Sequence, residues 1–181
     1  MARLDRLGPA KEVAQIGAAI GREFSHTLLA AVVRKPEAEL ASALDRLIAA
    51  DLLFRQGVSP HATYLFKHAL LRDAAYGCLL RSQRQALHAR IGSILEGQFP
   101  DVVEQQPAIL AQHWTEAGSI ERAIANWTKA GQASLARSAH EEAVVQLRKG
   151  LALLPALAEG PQRSRQEFEL RAALGWALLF L

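Results

Sequence analysis

Gly17 and Gly21 mark the stretch that comes nearest to a phosphate-binding loop. Such a loop sets its glycines five apart and follows them with Lys and Ser or Thr. Backbone N–H groups then cradle the phosphates while the lysine and hydroxyl hold charge and magnesium. Here the glycines are four apart and Arg22-Glu23 follows, so that chemistry is missing. Gly17 reads instead as a close-packing position and Gly21 as a helix stop. The six histidines, His26, His61, His68, His88, His113 and His140, include no i, i+4 pair with a carboxylate between, and Cys78 is not adjacent to any of them. That spacing holds no metal motif. His68 and His113 read as cap or core residues. Cys78, among Tyr76, Leu79 and Leu80, reads as a buried, inert thiol. Glu141-Glu142 falls in the first turn of a helix, where the dipole favours acids. Trp114 and Trp127 read as packing residues. The expectation is a chain with no catalytic residue, no cofactor and no metal.

Charge is more informative once it is located. The chain carries a formal +3. Lys67, Arg72, Arg81, Arg84 and Arg90 face a single acid, Asp73, in one stretch, and the remainder is slightly acidic. Arg72, Arg81, Arg84 and Arg90 are therefore the candidate surface for an anionic partner. No aromatic residues alternate with them, so a solvated helix face is the competing reading.

The elements that must position these residues are mostly helical. Half of the 181 residues are hydrophobic and 22% are charged, an ordinary globular balance. One cysteine permits no intrachain disulfide and fits a reducing compartment. Arg3, Asp5, Arg6, Lys11 and Glu12 interrupt any secretory core near the start. No uncharged apolar run approaches the roughly 18 residues of a membrane span. The reading is a soluble, cytoplasmic protein with no membrane partner.

Pro9 opens a helix with Val13, Ile16, Ala19 and Ile20 at helical spacing, and Ser25 caps a second. Pro36 opens a third, with Leu40, Leu44, Leu47 and Ile48 on one face. Residues 52–56 and 62–66 flank a Gly/Ser/Pro loop and read as a β-hairpin. Three helices and a hairpin are the order of a winged-helix domain, placed at residues 1–67. From His68 the chain reads as helices: 69–80, 82–98, 105–117, 119–137, 141–154 and 162 to the end, with breaks at Phe99-Pro100-Asp101 and Glu159-Gly160-Pro161. Residues 68–103 form a helical connector.

Residues 104–181 carry a repeat. Leu110-Ala111-x-x-Trp114, Gly118, Ala123, Trp127 and Ala130 follow the tetratricopeptide pattern of small residues set against large ones. Trp127-x-x-Ala130-Gly131, Ala143, Leu147, Gly150 and Pro155 make an overlapping copy, and Leu174-Gly175-x-x-Leu178 a third half. Ala123 to Ala143 is an offset of 20 residues, against about 34 in a regular array. The fold class is thus mostly α: a winged-helix-like unit with one β-hairpin, then a truncated tetratricopeptide-like solenoid. A winged helix raises DNA binding, but the third helix exposes Glu37, Glu39, Ser42, Asp45 and Arg46. That net acidic face would be repelled by a duplex.

Several phrases together resemble one family: Ile20-Gly21-Arg22-Glu23-Phe24, Ala43-Leu44-Asp45-Arg46-Leu47-Ile48-Ala49-Ala50-Asp51-Leu52-Leu53, and Phe66-Lys67-His68-Ala69-Leu70-Leu71-Arg72-Asp73-Ala74-Ala75-Tyr76. Leu87-His88-Ala89-Arg90-Ile91 and residues 130–139 extend the match. The family is that of large bacterial signalling proteins with a class III adenylate/guanylate cyclase domain, an AAA-like (STAND-type) ATPase, a winged helix and a tetratricopeptide-like tail. The resemblance covers the last two parts. It implies a non-catalytic regulatory or scaffolding fragment whose partner is a protein or its own upstream ATPase module. The cyclase aspartates and the phosphate loop have no counterpart here, so no catalytic residue carries over. Met1 to Leu7 then reads as a segment internal to a longer protein. A DNA-binding regulator with a helical effector domain is the alternative. Phe168, Leu170, Leu174, Leu178 and Leu181 are expected on or near one face of the last helix, with Trp176, Leu179 and Phe180 widening it almost all round. Burial on more than one side is then expected, with self-association through this helix.

Overall fold

The computed structural model describes residues 7–181. The segment expected to be an internal linker lies, except for Leu7, outside the described residues. The chain is mostly helical with one small antiparallel sheet, and it divides into two compact units, the first ending at Ile91 and the second spanning Gly92–Leu181.

In the first unit, α1 (Pro9–Ile20) begins on its proline and buries Ala10, Val13, Ala14 and Ile16. Gly17 lies under the Phe24 ring, where a Cβ would come within 2.7 Å of a ring carbon. Packing density, rather than backbone freedom, therefore requires glycine there. The Gly21 N–H bonds back to the Gly17 carbonyl and closes the helix. β1 (Glu23–Ser25) follows, and the Ser25 hydroxyl accepts the Leu28 N–H at 3.2 Å, capping α2 (His26–Val33). α3 (Glu37–Ala49) starts after Pro36 and buries Leu40, Ala43, Leu44 and Leu47. Glu37, Glu39, Ser42, Asp45 and Arg46 are exposed on its other face.

β2 (Leu53–Gln56) and β3 (Thr63–Phe66) form the expected hairpin, with Arg55 opposite Tyr64. The sheet has a third strand, which corrects the expectation of a lone hairpin. β1 pairs antiparallel with β3, giving the order β1-β3-β2. Three residues are too few to show an alternating pattern. Phe24 decides the pairing, since its ring stacks 5.9 Å from Tyr64 and sits 6.0 Å from Phe66. α4 (Ala69–Gly77) stops three residues short of the expected Leu80. α5 (Arg81–Gln98) follows, and the division between the units falls within it.

In the second unit, the expected break at Phe99-Pro100-Asp101 is a helix start, because proline at the first position opens α6 (Pro100–Gln105). α7 (Pro107–Glu116), α8 (Ile120–Ala136), α9 (His140–Leu153) and α10 (Pro161–Leu178) follow, with a 3₁₀ turn at Leu154–Ala156. The α7–α8 and α8–α9 turns are the same structure at a 20-residue offset. Gly118 (φ 75°) and Ser138 (φ 58°) take the left-handed conformation. The N–H of Ser119 bonds to the Trp114 carbonyl at 3.0 Å, and that of Ala139 to Ser134 at 2.9 Å. The core of the second unit gathers Ile124, Ala143, Val144, Leu147, Leu154, Leu170 and Ala177.

Candidate functional site

The four candidate arginines all lie in the first unit, where they do different work. Arg72 is half-buried and donates from Nε (3.0 Å) and Nη2 (2.7 Å) to the Asp73 carboxylate next to it. Its charge is already neutralised. Arg84 donates to the carbonyls of Leu79 (3.0 Å) and Gly77 (3.1 Å), and its guanidinium lies 4.7 Å from the centre of the Tyr76 ring. A cation over the Gly77 carbonyl, at the end of α4, and the Leu79 carbonyl, in the turn after it, fixes the turn into α5. This explains why α4 ends early. Arg81 is exposed at the first residue of α5. Arg90 is half-buried, and its Nε is buried without a hydrogen-bond partner. It lines a groove of about 480 Å³ with Glu12, Gln15, Gln83, Ala86 and Leu87. Arg72 and Arg84 are thus engaged by described neighbours, while Arg81 is exposed and Arg90 keeps a buried Nε without a hydrogen-bond partner.

Of the two histidines read as cap or core residues, His68 stands at the N-cap of α4 without a side-chain cap hydrogen bond, and His113 is buried. His26 is buried, with Nε2 2.9 Å from the Glu37 carboxylate and Nδ1 3.4 Å from the Tyr64 hydroxyl. It ties α2 to α3 and β3. Burial raises the Tyr64 hydroxyl above its ordinary value, against the nearby Arg55, which lowers it. The Tyr76 hydroxyl lies 2.9 Å from His88 Nε2. Trp114 and Trp127 are packed rather than open. The Trp114 indole donates to Glu96 and lies under Arg122, and the Trp127 indole donates to Thr115 and lies under Lys149. Among the described residues no cluster of three or more His, Cys, Asp or Glu is placed to hold a metal.

One polar chain was not visible in the sequence. The buried Ser134 hydroxyl donates to Gln146 Oε1 (2.9 Å), and Gln146 Nε2 donates to Glu142 (2.8 Å). Arg137 pairs loosely with Glu142 at 3.7 Å. The signal was Ser and Gln at positions that face another helix, twelve residues apart. The network consumes the acid pair's second carboxylate structurally. It borders a cavity of about 180 Å³, too small for most cofactors.

The last helix departs from expectation in a way that matters for function. Leu170 and Ala177 are buried against the rest of the second unit. Phe168 is 73% exposed, Trp176 58% and Leu179 74%. Phe168 and Leu170 therefore lie on different faces, not one. At about 100° per residue they are some 200° apart, so α10 has two apolar stripes, one covered and one open. No helix of the described residues is long and apolar enough to cross a membrane.

No family model matches this chain, and no solved structure matches it. An uncharacterized protein of Rhizobium meliloti (strain 1021) is 32% identical over 178 residues, which is 98% of this chain. The chain spans 17% of the length of that relative.

Proposed function

We propose that this chain is a non-catalytic regulatory and scaffolding segment of a multidomain signalling protein. Its first unit acts as a winged-helix-like adaptor and its second as a short tetratricopeptide-like stack that binds protein. The repeated turn carries the reading. Two successive helical hairpins share one hydrogen-bond geometry at a 20-residue offset. Helices stacked by translation present long faces and small clefts, which suit peptide and protein partners better than small molecules. The acidic outer face of α3 disfavours duplex binding and leaves that helix free for a protein contact. Similarity to one part of a far longer relative accords with a module working inside a larger chain. The partner is an ATPase module of the cyclase–ATPase family the sequence resembles.

The test mixes purified chain with such an ATPase module and follows the pair by size-exclusion chromatography with light scattering. Co-elution at a defined ratio is expected, with no ATP turnover by the chain alone. Selective, salt-resistant binding of one duplex sequence would refute the scaffold reading and promote a DNA-binding regulator.

A further inference from the structure

Within the first unit, α1 and α5 wall a groove of about 480 Å³, lined by Glu12, Gln15 and Ile16 on one side and by Gln83, Leu87 and Arg90 on the other. The three α5 residues share one face of that helix, and Gln83 stands about 10 Å along its axis from Arg90. The Gln83 side-chain oxygen accepts the Leu80 N–H at 3.0 Å. That bond puts Leu79, which also lines the groove, at the Gln83 end. Ile16 and Leu87 are buried and make the apolar floor between the two ends.

The polar balance of the groove is one-sided. Arg90 keeps a buried Nε without a hydrogen-bond partner. A buried donor left unmet costs free energy that a matching acceptor returns. The acid on the opposite wall is already spent, because Glu12 pairs at 2.5 Å with Lys35, in the loop between α2 and α3. Arg90 Nε belongs to the Nε–Nη2 edge, one of the edges by which an arginine takes a carboxylate through two parallel hydrogen bonds.

We propose that this groove binds a small carboxylate, its acid group held by Arg90 and its short apolar body laid over Leu87 and Ile16 toward Leu79. Nε is covered, so the guanidinium turns on its flexible stem to present that edge. With Glu12 held by Lys35, the repulsion it would exert on an anion is offset. An Asp or Glu of a protein partner is the other source of a carboxylate. Its acid group lies only a few bonds from its backbone, so several residues of the partner would have to enter with it. A volume of about 480 Å³ instead falls in the small-molecule range of about 300–1,000 Å³. The inference uses the first unit alone and does not depend on the scaffold reading.

Isothermal titration of the full chain with octanoate reads the binding. A saturable site with a Kd of about 0.1–1 mM is expected for a ligand of about ten non-hydrogen atoms. Octan-1-ol lacks the charge and inorganic phosphate lacks the apolar body, and each is expected to bind at least about tenfold more weakly. Ala86→Leu, at an exposed lining position, should fill the groove and weaken octanoate at least about tenfold, with unchanged circular dichroism. Arg90→Met keeps an unbranched stem and removes the charge. It should weaken octanoate to the same extent while melting no lower than the parent, because the unmet donor is gone. No saturable octanoate binding, equal binding by Ala86→Leu, or phosphate that binds as tightly as octanoate would overturn the proposal. So would an Arg90→Met variant that melts several degrees lower, which would assign Arg90 to the fold. A chain that binds the ATPase module through Arg90 but ignores octanoate would make the groove a protein-docking surface, overturning the proposal and leaving the scaffold reading intact.

Discussion

Replacing Gly131 by alanine should destabilise the second unit although alanine is the better helix former. The new Cβ would sit 2.5 Å from both Cγ and Cδ2 of Leu147 and 3.2 Å from Cδ1. Cγ is the branch point of that side chain, so no rotation about the terminal bond removes the clash. Either α9 moves away from α8 or Leu147, wholly buried, leaves its rotamer. Overpacking of this kind costs about 1–3 kcal/mol. Helix propensity returns about 0.5–1 kcal/mol. The difference spans about 0–2.5 kcal/mol, and the 2.5 Å contact with a branch-point carbon sets the expectation in its upper half, a loss of about 1.2–2.5 kcal/mol or a fall in urea midpoint of about 0.6–1.2 M. Tryptophan fluorescence isolates the effect, since Trp114, Trp127 and Trp176 all belong to the second unit. Gly97→Ala is the control. It lies in α5 with nothing within 4 Å of the added carbon, and should gain up to about 0.5 kcal/mol. If Gly131→Ala is as stable as the parent, the close approach of α8 and α9 is not what the glycine serves. Gly131→Ala combined with Leu147→Ala should cost less than the sum of the two, because the added methyl enters the space the leucine vacates.

Arg84→Ala should cost the first unit about 1–2 kcal/mol through loss of two charged hydrogen bonds and the Tyr76 contact, and Arg84→Lys should not restore it. Limited proteolysis should then cut between α4 and α5, and an unchanged cleavage pattern would count against the capping role. Tyr64, followed by tyrosinate absorbance in a Tyr76→Phe background, should titrate above 10.0. The unfolded chain releases that proton first, so this contribution to stability is intact below pH 10.0 and is lost as pH rises beyond it. A midpoint at or below 10.0 would contradict the burial. Any binding of nucleic acid by Arg81 and Arg90 should be weak, indifferent to sequence and lost in moderate salt, and alanine at both should abolish it in a filter-binding titration.

Local stop and start signals were legible because their mechanism is local. Pro9 and Ser25 open helices within one residue of the observed starts, and Gly118 takes the left-handed turn its position requires. The 20-residue offset of small and large residues was legible too, and it is the offset at which the turn recurs. The equivalent left-handed position in the second turn is Ser138, which carries no glycine signal. The third strand could not be read, because three residues define no period and the pairing depends on Phe24 finding Tyr64 forty positions away. The basic stretch shows a different limit. Summing charge along the chain treats Arg72 and Arg84 as available, but each is engaged by a group that only the fold brings near or orients: the Asp73 carboxylate, and the carbonyls of Gly77 and Leu79 around the end of α4.

The last helix shows why a correct composition can yield a wrong face. Its apolar residues were read as one stripe broadened almost around the whole girth. Phe168, Ala172, Gly175 and Leu179 make one direction, and Leu170, Leu174 and Ala177 make roughly the opposite one. Two opposed stripes cancel in any test for a single apolar face, so the periodicity that located α1 and α3 fails here for geometric reasons. The same cancellation is informative. A helix at the edge of a packed stack needs one apolar face, and α10 uses Leu170 and Ala177 for that purpose.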